Sequence, residues 1–238
     1  MSAHSSSCDY ALHYWPLPFR GQFIRAILAH AGKTWNEFDA EAIDALMSAE
    51  PADQPVPFMG PPVLIEHATG IALAQMPAIA CYLGDTLELM PPGPAGRAMA
   101  LKVVNDANDV IDELTLNGGM KMWTARSWQQ FIPRLEHWMT IFETTAARHG
   151  VTRERGFLLG GESASIADIV TATLWSTMAA RFPALGKRLD KTAPLTAALA
   201  ARMAQTPALA QLAATTQDRF GDAYCGGQIE KSLRAVVN

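Results

Sequence analysis

The sequence predicts an α/β amino-terminal domain built on a mixed four-stranded sheet, followed by an all-helical domain. Three observations predict it. Short alternating or apolar runs that read as strands occur only before residue 84. Residues 85–96 (DTLELMPPGPAG) then combine three prolines with two glycines, so few regular backbone hydrogen bonds can cross them and a domain boundary falls there. Beyond residue 96 the apolar residues recur at helical spacing throughout. The expected division is a disordered leader over 1–9, the α/β domain over 10–84, a linker over 85–96 and the helical domain over 97–238.

Each element has a local reason. Residues 10–15 (YALHYW) alternate and read as a strand; Pro16 and Pro18 interrupt it, and Phe23, Ile24, Ile27, Leu28 and Ala31 then keep a helical stripe up to Gly32. Trp35–Ala40 reads as a second strand. Residues 41–62 are acidic and then proline-rich, which predicts a short helix running into irregular chain and excludes a central strand. Val63–Glu66 and Ile71–Leu73, separated by His67-Ala68-Thr69-Gly70, predict a hairpin with glycine in its turn. Pro77 suits the first turn of a helix that stops at Gly84. Helical stripes follow at 97–116, 127–149, 166–180, 193–205 and 207–220. Ser165-x-x-Asp168 ahead of Ile169 and Val170 is a capping box, a folding signal with no catalytic role.

Composition excludes several functions. Nineteen Lys and Arg against 23 Asp and Glu give a net charge of −4, with 49% hydrophobic and 18% charged residues. Without a basic run the chain lacks the footprint of a nucleic-acid binder, and anionic membrane surfaces are disfavoured too. The first ten residues carry no Lys or Arg and no apolar run, so they do not read as a secretory signal. No stretch approaches the ~20 apolar residues of a membrane span. Cys8, Cys81 and Cys225 suggest no disulfide framework, which points to a soluble protein of a reducing cytoplasm. The six histidines show no metal-binding spacing, so no metal is expected.

The loop after the first strand is where ligands settle in α/β sheets. Between Ala11 and Lys33 there is no Ser, Thr or Cys, which leaves Tyr14 as the candidate for hydroxyl chemistry. On pattern alone the leading reading is a strand tyrosine with a buried ring and its OH bound to backbone. Gln75 and Met76 stand where a strand hands over to a helix, whose free N–H groups can hold a carboxylate, as those of any helix can. Asp106, Asp109 and Glu113 share one helix face, either a solvated face or a set of acid/base carboxylates.

Taken together these segments resemble a soluble, cytosolic-type glutathione transferase. YALHYWPLPFRGQFIRAILAHAG resembles the strand, tyrosine, Arg-Gly and first helix of the tyrosine-type classes, nearest to pi and sigma and bacterial-like. GPPVLIE resembles the segment with the cis-proline, IALAQMPAIACYLG the family's Gln-Ser-x-x-Ile-x-x-Tyr-Leu, VVNDANDVIDEL its Val-Asn-Asp helix, and FLLGGESASIADI its capping-box helix. The resemblance implies a thioredoxin-like first domain. It also implies a catalytic Tyr14 and glutathione contacts from Arg20, Pro61, Pro62, Gln75 and Met76. Asp106 would reach the glutathione of a second subunit, and therefore implies a homodimer. Trp15, Pro18, Met120 and Trp123 are the candidates for lining the pocket of a hydrophobic co-substrate.

Two departures have physical consequences. Met76 stands where the family usually has Ser or Thr, so a hydroxyl to the γ-glutamyl carboxylate is lost while the backbone N–H remains, at ~1–3 kcal/mol for a hydrogen bond to a charged group. Pro61 has no N–H, so only its carbonyl can pair with the peptide's cysteine. The loop between Tyr14 and Arg20 is also two residues longer than in the family pattern. The function implied is conjugation of glutathione to a small apolar electrophile, a detoxification-type reaction. The alternatives are a glutathione-binding protein with little conjugating activity, and a glutathione-dependent peroxidase or reductase, against which the cysteine-free loop argues.

Overall fold

The computed structural model describes residues 8–237. Four strands, β1 (Tyr10–His13), β2 (Trp35–Glu37), β3 (Val63–Glu66) and β4 (Ala72–Ala74), form one sheet in the order β2-β1-β3-β4. β1 runs parallel to β2 and antiparallel to β3, with Leu12 opposite both Glu37 and Leu64. β3 and β4 form the antiparallel hairpin. The sheet is therefore mixed, as the strand and turn pattern predicts. A parallel β1-β2 pair needs a crossover, supplied by α1 (Phe19–His30). α2 (Ala40–Ser48) follows β2, capped by the Asp39 carboxylate, which accepts from the Ala42 N–H at 2.9 Å. α3 (Met76–Thr86) closes this half.

Eight helices follow: α4 (Gly93–Leu114), α5 (Leu116–Gly119), α6 (Ala125–Arg148), α7 (Ile166–Arg181), α8 (Pro183–Thr192), α9 (Pro194–Ala204), α10 (Pro207–Phe220) and α11 (Gly227–Val236). α7 is the central one, buried almost without break from Ile166 to Trp175 and packed on α1, α4, α8 and α9. Its start is the expected capping box: Asp168 accepts from the Ser165 N–H at 2.9 Å, and Ser165 Oγ accepts from the Ala167 N–H at 3.2 Å. α1 is buried from Gly21 through Leu28 because it has α3 on one side and α7 and α10 on the other. The two halves thus share one apolar core across α1 and α7.

The structure differs from the sequence pattern at definite places. α4 begins at Gly93 rather than 97, because Pro92 and Pro94 suit a helix start, so the irregular link shrinks to residues 87–92. The stripe expected to reach 116 breaks at Thr115, where Leu116 takes a left-handed φ of 49°. α8, α5 and α11 were not expected; α8 is amphipathic but short and charged, burying only Leu185 and Leu189. The leader expected over 1–9 lies outside the described residues as far as residue 7. Cys8 and Asp9 are tied down: the Asp9 carboxylate accepts from the Thr34 N–H at 2.8 Å, and the Cys8 carbonyl lies 2.6 Å from His67 Nδ1. Among the described residues no helix is long and apolar enough to cross a membrane.

Candidate active site

β1 ends at His13, and the next residue turns its ring inward. Tyr14 is 3% exposed, packed over the first turn of α1. That packing demands glycine at position 21, since a Cβ there would lie 2.3 Å from Tyr14 Cδ1. The Tyr14 oxygen accepts a 3.0 Å hydrogen bond from the Arg20 N–H, one of the unsatisfied donors at the start of α1. Among the described residues nothing accepts the hydroxyl's own proton. Both readings of this tyrosine therefore meet in one side chain, which is bound to backbone as an acceptor and keeps its donor free. Burial pushes the phenol up to about 12, with the Arg20 charge and N–H pulling the other way. It is protonated at neutral pH and available to donate.

The loop between Tyr14 and α1 is pinned by a buried ion pair that the sequence pattern did not reveal as a site. Arg25 is 1% exposed; its Nη1 donates to the carbonyls of Leu17 at 2.9 Å and Pro18 at 3.3 Å. Its Nε and Nη2 form a two-pronged pair with Glu37 at 2.8 and 3.1 Å. Glu37 also accepts from Trp35 Nε1 at 2.8 Å and pairs with Arg219 at 3.2 Å. Burial raises the Glu37 carboxyl, and the Arg25 contacts outweigh it and hold the group below its usual range. The signal was present in the sequence as a charged residue interrupting the apolar run of α1 between Ile24 and Ala26.

Arg20 faces the other way. Its Nη2 donates to Asp112 at 2.9 Å and its Nε to Asn108 at 3.3 Å, bridging α1 to α4. Its backbone serves Tyr14 while its side chain is committed to α4. Pro18 is buried beneath the loop and Trp15 is partly buried against the core.

Farther along the sheet, the Pro61-Pro62 bond is cis, as the resemblance implied, and Pro62 is buried beside Val63. Gln75 is exposed and holds a left-handed φ of 73° at the N-cap of α3. Met76 is completely buried, its side chain part of the core, so what it offers a ligand is its N–H. Pro77 has none, which leaves the Met76 and Ala78 N–H groups at the open end of α3.

In the helical half, Asp106 pairs with Lys102 one turn earlier on α4. Burial raises Asp109, helped by the charges of Asp106, Glu113 and Asp112. A cavity of about 310 Å³ is lined by Glu113, Leu116, Met120, Lys121, Phe131 and Arg134. Met120, 81% exposed, forms part of its wall. Trp123 does not line that cavity. It is 6% exposed, donates from Nε1 to the Leu114 carbonyl at 2.8 Å and packs against Trp128 and Phe131 at 5.2 and 5.0 Å. An indole that finds both apolar neighbours and a carbonyl for its N–H is held inside.

The family model of the glutathione S-transferase carboxy-terminal domain matches residues 99–236. No curated protein matches the chain. Among solved structures, the chain resembles a glutathione transferase of the nematode C. elegans at 23% identity and a TM-score of 0.70, covering 88% of this chain and 97% of that one. It resembles a monomeric glutathione S-transferase of the hookworm Necator americanus at 21% identity and a TM-score of 0.70, covering 87% and 96%. A Nu-class enzyme of Haemonchus contortus matches at 21% identity and a TM-score of 0.67, with the same coverages. These likenesses carry the fold.

Proposed function

The chain belongs to the glutathione S-transferase family, and on that premise we propose that it conjugates glutathione, through its thiolate sulfur, to a small, largely apolar electrophile, with Tyr14 as the catalytic residue. One observation carries the reading: the Tyr14 hydroxyl accepts from the Arg20 N–H and has an uncommitted proton of its own. A free thiol has a pKa of ~8.5, so only a few per cent is thiolate at neutral pH. A phenol held protonated and polarised by a backbone N–H donates to the thiolate sulfur and favours the anion, each pKa unit being ~1.4 kcal/mol. The thiolate then attacks an electrophilic carbon. An S–C bond forms, and either a leaving group departs with its electron pair or, in an addition, the resulting carbanion takes a proton from solvent.

The rest of the tripeptide follows the strand ends. In this reading the Pro61 carbonyl pairs with the cysteine N–H, and the open N–H groups of α3 with Gln75 hold the γ-glutamyl carboxylate. The electrophile lies against Trp15, Pro18 and the wall that includes Met120. The tyrosine-type assignment rests on Tyr14 and on the absence of Ser, Thr and Cys from its loop, which also disfavours thiol-exchange chemistry. A homodimer in which Asp106 faces the second subunit's glutathione belongs to the same proposal. Met99, two turns before Asp106 on the same face of α4, is 38% exposed and supports an apolar contact on that side. Sedimentation as a monomer would remove the cross-subunit role and leave the chemistry intact.

The test is retention on immobilised glutathione combined with turnover of a panel of aryl halides, epoxides and α,β-unsaturated carbonyls. Binding with turnover of at least one class is expected. Binding with no turnover of any would make the chain a glutathione-binding protein instead.

A further inference from the structure

The Tyr14 loop is held on one side by Arg25; on its other side lies the carboxy-terminal segment. Glu230, 8% exposed on α11, accepts three consecutive backbone N–H groups on one oxygen, from Tyr224 at 3.0 Å, Cys225 at 2.9 Å and Gly226 at 2.6 Å. Its other oxygen accepts from Arg234 Nε and Nη2 at 2.8 and 2.6 Å. Arg234 in turn donates to the Asp222 carbonyl and lies 5.0 Å over the Phe182 ring. The turn 222–226 is thus closed on a single carboxylate, as a helix start closes on its cap.

What this turn touches is the start of α1. Tyr224, 2% exposed, sets its ring edge-on to Phe19 at 5.6 Å and to Phe182 at 5.3 Å. Gly226, at φ 73°, comes so close to Leu17 that a Cβ there would lie 3.0 Å from Leu17 Cδ2. Phe19 has a left-handed φ of 32°, a conformation a bulky residue keeps only when its surroundings impose it. The next N–H in the chain is Arg20's, the one the Tyr14 oxygen accepts.

We infer that Glu230 and Tyr224 are positioning residues for the thiol site: Glu230 shapes the 222–226 turn, the turn sets Tyr224 and Gly226 against Phe19 and Leu17, and the Phe19 backbone so held aims the Arg20 N–H at Tyr14. Neither residue touches the reacting atoms. The inference rests on the transferase reading of Tyr14. Burial raises the Glu230 carboxyl, and the three N–H groups with Arg234 outweigh it, so the group is anionic at neutral pH. Cys225 takes no part as a nucleophile, because burial pushes its thiol up to about 12.

The experiment compares the ultraviolet thiolate titration of bound glutathione and the kcat and KM of wild type, Glu230→Ala, Glu230→Gln, Tyr224→Phe and Tyr224→Leu. Leu199→Ala, a core truncation in α9 packed on α6, α7 and α8, controls for lost stability alone. Glu230→Ala and Tyr224→Leu are expected to raise the bound thiol pKa by about one unit and lower kcat about tenfold, with KM for glutathione little changed. Tyr224→Phe, which keeps the ring on Phe19, is expected to match wild type, and Glu230→Gln to fall between. Should Glu230→Ala not fold, Tyr224→Leu against Tyr224→Phe decides. An unshifted thiol pKa in Glu230→Ala or Tyr224→Leu, or an equal shift in Leu199→Ala, overturns the positioning role while the transferase reading stands. A wild-type protein that binds glutathione without lowering its thiol pKa removes that reading, and this one with it.

Discussion

The two ends of the proposed glutathione site are built differently. At the thiol end, Tyr14 is surrounded by side-chain machinery: Arg25 and Glu37 fasten the loop beneath it, and Asp112 and Asn108 hold Arg20 beside it. At the γ-glutamyl end the groups are mostly backbone, namely the N–H groups that open α3, with Gln75 as the exposed side chain and Met76 turned into the core. The contrast separates activation from affinity. A reactive hydroxyl must be oriented to within tenths of an ångström and needs a rigid surround. A carboxylate at a helix start needs donors that any sequence supplies, so the side chains there are free to drift.

That contrast breaks first at Arg25. Arg25→Ala leaves Glu37 buried without its two-pronged partner, and losing one member of a buried pair costs about 3–5 kcal/mol. Urea unfolding should show a loss in this range; a loss below 1 kcal/mol would mean that the loop is not fastened from beneath. Next comes Tyr14→Phe, which keeps the ring over Gly21 and removes the donor. Loss of one donor to a developing anion costs about 100-fold or more in turnover, so kcat should fall by that order while KM for glutathione stays within about threefold.

The other end should respond in the opposite sense. Gln75→Ala is expected to raise KM for glutathione about fivefold, the loss of a single hydrogen bond, and to leave kcat unchanged; a kcat effect equal to that of Tyr14→Phe would erase the distinction between the ends. The smallest effect is the pH dependence of stability. Glu37 and Glu230 are both held below the ordinary glutamate range in the folded chain. The stability they contribute is therefore complete above the unfolded value of about 4.3 and is lost as pH falls through their lowered folded values. Unfolding midpoints in urea should drop on acidification over this window, and less steeply in Glu37→Gln than in wild type.

Much of this was legible in the sequence because it is local. Alternation marked β1, the Gly-containing turn marked the β3-β4 hairpin, and the Ser165-x-x-Asp168 box marked the start of α7, each decided within a few residues. Tyr14 stood out because its loop offers no other hydroxyl or thiol. What escaped is what long-range packing decides. Arg25 and Glu37 lie on a helix and on the strand after it, Arg20 and Asp112 are 92 residues apart, and Tyr224 comes from the turn before the last helix back to the first. The setting of Trp123 escaped for the same reason: its spacing from Met120 could not show that the Leu114 carbonyl and two aromatic rings would draw it inside. α11 has the amphipathic pattern of a surface helix, and the carboxylate that shapes the neighbouring turn reads in sequence as one more exposed Glu.

Activation of the thiol rests on Tyr14 as the donor to the sulfur, and the most direct test is the ultraviolet pH titration of the thiolate of bound glutathione in wild type and Tyr14→Phe. A thiol pKa lowered well below the free value of ~8.5 in wild type, and returned toward it in Tyr14→Phe with binding retained, is the predicted result. An equally lowered pKa in both proteins would contradict it and move the source of activation elsewhere in the site.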